Sequence, residues 1–321
     1  MSTIPITSKE VITTYTTLGG KAKSHFHKYL YPISIVLLNR GPKFNREEAL
    51  EELKEVVDYE VILINGPEPA ADLATLVKKH PQVKFILLKN DCSPGEKVNI
   101  GIAEAQAPLV CVLHTDMHIP QQALSSRLLE KIALQHVLCT LPVLKNRRLE
   151  TIPSLQVPVF IKKRLKPSPF HPLHDGMKSL FPFDYVGIYN KERFRFSGGY
   201  DPVLGSPYWQ KLDFGLRAAL WGEELLVNVS FFFQYRSEVP IEDSTPNESY
   251  KLFYLKNLAL DYRRDQAILG WRRFPHYFFA SGTSLLKAFK EFKAARRWVR
   301  HYRYRFKTDF QRLVATWPTP S

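Results

Sequence analysis

Short apolar runs alternate with amphipathic stretches through the first third of the chain. Residues 33–38 (ISIVLL), 59–64 (YEVILI), 83–88 (VKFILL) and 109–113 (LVCVL) read as buried strands. Between them, residues 45–57 form an amphipathic helix with Asn45 as N-cap, and residues 69–79 form a second helix. Residues 94–105 form a third, with Pro94 in its first turn. Strands alternating with helices predict βαβ units: an α/β, Rossmann-like fold with a mostly parallel central sheet flanked by helices. Past Pro120 the alternation loosens. Residues 121–134 and 208–221 read as helices, and 157–161, 185–189 and 225–233 as strands. Residues 162–182, rich in Lys, Pro and His, read as a long loop, and residues 1–30 as an N-terminal extension.

Parallel sheets bind ligands beyond the carboxyl ends of their strands. Here those ends are polar: Asn39-Arg40-Gly41, Asn65-Gly66-Pro67, Asn90-Asp91, and the run from His114 through Thr115, Asp116 and Met117 to His118. The chemistry is expected there.

Composition narrows the class. The chain has 321 residues, 45% hydrophobic and 24% charged, enough apolar material for a large core and too much for disorder. No apolar run reaches the roughly 18 residues of a membrane span, and residues 1–20 lack an apolar signal core. Three cysteines without metal-type spacing point to a reducing cytoplasm, with Cys111 and Cys139 as buried thiols.

Motif order sharpens this. Lys97-x-Asn99-x-Gly101-Ile102-Ala103-x-Ala105, a strand and Thr115-Asp116-Met117 resemble the Asn-x-Gly-x-x-x-Ala helix, strand and Asp-x-Asp motif of family 2 glycosyltransferases of the GT-A fold. Phe196-Ser197-Gly198-Gly199-Tyr200-Asp201 resembles their GGFDE turn. The run from Trp209 to Arg217 (WQKLDFGLR) resembles their acidic helix start, W-x-E-D-x-D-L-x-x-R. The resemblance covers roughly residues 31–240.

The resemblance implies a nucleotide-sugar donor, a glycan or lipid-linked hydroxyl acceptor, and an inverting, non-processive transfer of one sugar in cell-surface glycan synthesis. A departing diphosphate builds charge that a divalent cation neutralises. The metal, Mn2+ or Mg2+, would sit on Asp116 and His118. Asn39, Asn65, Asp91, Lys97, Asn99, His114 and Asp116 would hold the donor. Gly198, Gly199 and Trp209 would line the acceptor pocket. A carboxylate must take the acceptor's proton, and Asp213 matches the family's base. This chain departs from the pattern at His114, in place of the first Asp of Asp-x-Asp, and at Asn65, in place of a nucleotide-binding Asp.

Plainer roles stand beside these. Asp116 can cap a helix, Asp213 can be an acid favoured by the helix dipole, and Gly198-Gly199 can be a turn requiring positive φ. Trp209 can be core, Asn99 helix surface, and Lys97 and the histidines solvated polar groups. The rival function is a catalytically silent GT-A domain serving as a nucleotide-binding or scaffold subunit. A nucleotidyltransferase would show a Gly-rich phosphate loop after the first strand, for which Asn39-Arg40-Gly41-Pro42 is too short.

Charge sets the tail apart. Residues 250–321 carry 16 Lys/Arg against 4 Asp/Glu, most of the net +14. Leu285, Ala288, Phe289, Phe292, Ala295, Val299, Tyr302, Phe306, Phe310 and Leu313 recur at helical spacing. A basic amphipathic helix over 283–313 reads as a surface for anionic membrane, at its inner face, or as a stripe packed on the catalytic domain. No nucleic-acid motif accompanies the charge. The domains expected are 1–30 (extension), 31–243 (GT-A) and 244–321 (basic, aromatic helical extension).

Overall fold

A computed structural model describes residues 13–20, 33–41, 43–56, 59–67, 70–120, 123–161 and 164–318. Most of the expected extension 1–30 lies outside them, as does the side chain of Asn45.

Among the described residues a sheet of nine strands runs in the order β1-β4-β3-β2-β5-β10-β7-β11-β6. Its first half is the predicted alternation: β2 (Ile33–Leu38), α1 (Lys43–Val56), β3 (Glu60–Asn65), α2 (Ala70–Lys79), β4 (Lys84–Leu88), α3 (Pro94–Glu104) and β5 (Leu109–His114). Strands β4, β3, β2 and β5 are mutually parallel. A short β6 (Met117–His118) follows β5. The start of α3 is fixed by a capping box, in which Ser93 accepts from Glu96 N–H and the Glu96 carboxylate accepts from Ser93 N–H. Gly101 lets α3 lie close on the sheet, since a Cβ there would stand 2.4 Å from Val36 Cγ1.

Three elements depart from the sequence reading. Strand β1 (Tyr15–Gly19) lies in the supposed extension and pairs antiparallel with β4, Tyr15 opposite Leu88. It is a mostly exposed edge, so it lacks the apolar alternation that marks a strand. Strand β7 (Cys139–Lys145) contains Pro142, which argues against a central strand. The register with β11 shifts around that proline, between Val227 and Phe232, so the ladder accommodates the missing N–H. Strand β9 (Arg164–Phe170) lies where a loop was expected and forms a hairpin with β8 (Leu155–Ile161), the strand predicted over 157–161.

The rest is α4 (Ser126–Gln135), β10 (Gly187–Asn190), α5 (Lys191–Ser197), α6 (Pro207–Leu220) and β11 (Leu225–Tyr235). One core joins the sheet to α1, α2 and α4, and another joins its opposite face to α3, α5 and α6. Cys111 and Cys139 are free and buried, as read from the sequence.

A third core binds the outer side of α6 to the tail. The tail comprises α7 (Glu248–Phe253), the hairpin β12 (Asp261–Arg263) and β13 (Gln266–Ile268), α8 (Phe274–Ser281), α9 (Leu285–Tyr302) and α10 (Phe310–Ala315). The stripe read as a membrane face is mostly core: Ala288, Phe292, Ala295, Val299, Phe306 and Phe310 are buried. Only its beginning stays open, with Leu285 56% and Phe289 43% exposed. The predicted single helix breaks after Tyr302 into a turn at Arg303–Arg305. Gly215 in α6 faces Leu180, where an added Cβ would stand 1.7 Å from the carbonyl oxygen. Helix and loop touch backbone to side-chain position there, and no larger residue fits. Among the described residues no helix is long and apolar enough to cross a membrane.

Candidate functional site

The site grows from two strand ends. Register places Leu38 opposite His114, so the chain leaving β2 runs beside the chain leaving β5. Arg40 N–H donates to Thr115 Oγ1 at 3.0 Å, and the Thr115 hydroxyl donates back to the Arg40 carbonyl at 2.9 Å. This reciprocal pair sets the Arg40 side chain against Asp116. Arg40 Nε donates to both Asp116 oxygens, at 3.1 and 3.0 Å, and Nη2 to Oδ1 at 2.8 Å. Ser237 Oγ also donates to Asp116 Oδ2. The other arm of the guanidinium, Nη1, donates to Asp184 Oδ2 at 2.7 Å.

Asp184 joins these groups. It also accepts from Tyr235 Oη at 3.0 Å, and His114 Nε2 lies 3.3 Å from its Oδ1. His114 Nε2 contacts the Asp184 carbonyl at 2.9 Å, which makes that nitrogen the protonated one. His114 Nδ1 is buried and has no partner. Burial pushes the Asp184 carboxyl up, but His114, Arg40 and Lys211 outweigh it and hold it well below the usual carboxylate range. Burial likewise opposes the Arg40 charge, and Asp184 and Asp116 more than restore it. Asp184 and Tyr185 both have left-handed backbone, φ 51° and 63°. Two consecutive non-glycine residues there mark a strained turn held by its surroundings.

Beyond this network lies an open cleft of 620 Å³. Asn39, Arg40, Lys97, His114, Asp184, Lys211, Glu242 and Asp243 line it. Lys211 pairs with Glu242 and faces the Tyr185 ring at 5.1 Å. Lys97 stands 3.4 Å from Asp91, whose side chain is 80% exposed at the rim.

Of the residues named from sequence, Asn39, Lys97 and His114 share this cleft, with Asp116 directly behind Arg40 and Asp91 at the edge. The others are elsewhere. Asn65 is fully buried and accepts from Arg46 Nη1 at 3.1 Å. Asn99 is spent on the GG turn, its Nδ2 donating to Tyr200 O at 2.7 Å and its Oδ1 accepting from Tyr200 N–H at 2.9 Å. Gly198 terminates α5 at φ 84°, and the Gly199 carbonyl accepts from Arg217 Nη2 at 2.6 Å. Neither glycine lines the cleft. Trp209 is buried between Tyr208, Tyr250 and Phe253, its Nε1 donating to Thr245 O at 3.0 Å.

Asp213 is also placed away from the cleft. It has no exposed surface and accepts from Asn257 Nδ2 at 2.7 Å and Arg217 Nε at 3.3 Å, with Lys256 at 3.4 Å. Burial raises its carboxyl, and Lys256 and Arg217 bring it below the ordinary value. A carboxylate sealed in this way has no path to an acceptor's proton. Counting back from Arg217 in the motif W-x-E-D-x-D-L-x-x-R explains the misplacement. Asp213 falls on the second D, and the E-D pair falls on Gln210 and Lys211. That count was available in the sequence, whereas Asp184 joins Arg40 from 144 positions away and had no sequence signal.

The expected metal pair does not fit a cation. Asp116 is 3% exposed and both its oxygens are taken by Arg40 and Ser237. His118 pairs with Glu52 and lines a separate hollow with Arg147 and Arg236. Among the described residues no three His, Cys, Asp or Glu side chains gather as metal ligands.

The α/β architecture and this strand-end cleft define a GT-A fold. No protein-family model matches the sequence, and no curated protein matches it. Among solved structures, the chain is similar to GalNAc-T7 with UDP, GalNAc and Mn2+, at TM-score 0.62 and 12% identity. That match covers 89% of this chain and 57% of the GalNAc-T7 chain, so this chain spans little more than half of its relative. A likeness to S. aureus TarS 1–349 in complex with UDP-GlcNAc has TM-score 0.49 and 14% identity, over 82% of this chain and 79% of that one.

Proposed function

We propose that the chain is a family 2-like, nucleotide-sugar-dependent glycosyltransferase that moves one sugar onto a hydroxyl acceptor of a cell-surface glycan, with inversion. The observation that carries this reading is the cleft beyond β2 and β5, which Arg40, Lys97, Lys211 and His114 line together. Cations at a strand-end crevice suit a diphosphate.

The base must reach the cleft, which leaves Asp213 out. Asp184 is committed to Arg40, Tyr235 and His114, so Glu242, half-buried beside Lys211, is the proposed base. It would take the acceptor's proton as the donor's glycosidic bond breaks, while the cations hold the leaving diphosphate. Calorimetry with UDP, GDP and their sugar conjugates tests the donor site. Glu242→Gln should leave donor affinity unchanged and lower turnover by about 10²–10⁴-fold. Equal turnover would remove Glu242 from the role.

A second reading, a silent GT-A domain that binds a nucleotide as a scaffold subunit, draws on Lys211 standing where the motif count places a carboxylate. It is distinguished by tight donor binding without transfer or hydrolysis.

We also propose an anionic membrane as partner, through a smaller surface than the sequence suggested. Trp271, Phe279, Leu285, Leu286 and Phe289 are 43 to 81% exposed. Trp271 and Phe289 stack at 5.7 Å, and Arg272, Lys287, Lys290 and Lys293 flank them in sequence. Exposed apolar groups with cations beside them in sequence fit an anionic interface, which supports a peripheral location at the inner face of a membrane.

A further inference from the structure

Arg40 stands where a bridging cation would be needed. It lies between two carboxylates from different parts of the chain, Asp116 after β5 and Asp184 before β10, and makes hydrogen bonds to both. Its backbone is tied to Thr115 on both sides, and its Cζ lies 5.8 Å from the centre of the Tyr235 ring. A guanidinium carries five N–H donors and stays charged at any working pH. Three are committed to the carboxylates, and 29% of the side chain remains open where it lines the cleft.

The ion pairs point the same way. Arg40 pairs with both Asp116 and Asp184, Lys211 pairs with Glu242, and Lys97 pairs with Asp91, so each of these carboxylates has a cation of the chain beside it. Asp91 and Asp243 are exposed at the rim, where water screens them. The carboxylates that would demand a divalent ion are already neutralised. A cation entering at Asp116 would have to displace Arg40 and Ser237 together, separating a half-buried guanidinium from the carboxylate it pairs with.

We propose that Arg40 is a resident cation that binds the donor's diphosphate directly, with Lys97 and Lys211, so that donor binding needs no divalent metal. The inference rests on the donor reading above. Phosphate oxygens meet the uncommitted N–H donors of a guanidinium that the two aspartates hold in place. Asp116 and Asp184 are then positioning residues for Arg40.

The test is calorimetric titration of the full chain with UDP and with GDP, in EDTA and in millimolar MnCl2, with Mn2+ paramagnetic resonance as a second readout. The expected result is binding in EDTA, with affinity in Mn2+ within about threefold, and no loss of the free Mn2+ signal on adding protein beyond the loss that the nucleotide alone produces. Arg40→Ala should weaken binding in EDTA by about 10- to 100-fold, the weight of a charge-assisted hydrogen bond, and Arg40→Lys should retain part of it. The Ala variant uncovers two carboxylates and should gain a dependence on Mn2+ that the native chain lacks. Binding only in Mn2+ would overturn this inference and leave the donor reading standing. Binding in neither condition would overturn the donor reading and this inference with it. Arg40→Ala with unchanged affinity in EDTA would also overturn it. The native-chain comparison decides the matter even if the Ala variant does not fold.

Discussion

Replacing Asp213 with Asn separates a structural carboxylate from a catalytic one. Asp213 lies in α6 with no exposed surface and holds Arg217, Lys256 and Asn257. Removing one member of a buried ion pair costs about 3–5 kcal/mol. Here the lower end applies, for three reasons. Asn keeps an oxygen for the Asn257 amide. Lys256 keeps Asp201 at 2.7 Å, and Arg217 keeps the Ser197 and Gly199 carbonyls. Unfolding entropy near 2.1 cal/mol/K per residue gives a chain of this length about 0.7 kcal/mol per degree. A loss of about 3 kcal/mol therefore lowers Tm by about 4–5 °C. Scanning calorimetry on the full chain reads this directly, and nucleotide titration should show unchanged donor affinity. A variant that melts within about 1 °C of the native chain yet loses transfer would refute the argument and return the base role to Asp213.

Two further outcomes follow from the geometry. Asp184 and Asp213 are both held below the ordinary carboxylate range, so each contributes stability that is complete above the unfolded value of about 3.9 and is lost as pH falls toward the folded values. Tm should fall steeply below about pH 4, and Asp184→Asn should flatten that acid limb; an identical slope in the variant would remove Asp184 from the account. At the other end of the molecule, the full chain should sediment with anionic vesicles, with about 1 kcal/mol per surface cation that weakens in salt. Phe279→Asp with Leu286→Asp should abolish sedimentation without shifting Tm, because both side chains are exposed, and retained sedimentation would defeat the membrane proposal.

The first half of the fold was legible because β2 to β5 are buried on both faces and read as uninterrupted apolar runs. What stayed hidden had a physical reason in each case. Strand β1 borrows its place from β4 and carries little apolar signal of its own. Strand β7 holds a proline that only the shifted register of β11 explains. The tail's periodicity was read correctly as a helix face, but periodicity cannot say what covers a face, and α8, β13 and residues 254–258 of the tail itself, with Trp221 at the end of α6, cover most of this one. At the site, the strand-end rule reached Asn39, Arg40, His114 and Asp116, and the family motif reached Lys97. Neither reached Asp184, Glu242 or Lys211 as parts of the cleft; they come from distant loops and from α6 with no pattern around them.

The departures from the family pattern belong together when the side chains are placed. A first Asp replaced by His114 removes one negative charge from the end of β5. An acid pair replaced by Gln210 and Lys211 removes more and adds a positive charge at the opposite wall, while Gln210 turns inward to accept from Gly95 N–H at 3.1 Å and donate to Asp201 O at 2.9 Å. Arg40 then supplies a cation to the two aspartates that remain. Each change alone weakens a metal-dependent site. Combined, they produce a cleft in which Asp116, Asp184 and Glu242 are paired without an added ion, at the same strand ends where the fold presents a ligand. The tail completes this arrangement from behind. Lys256, fully buried, bonds Asp201 and Asp213, so the base of α6, and with it Lys211, depends on residues beyond 243. The segment read as a separate extension is therefore part of what holds the cleft's far wall in position.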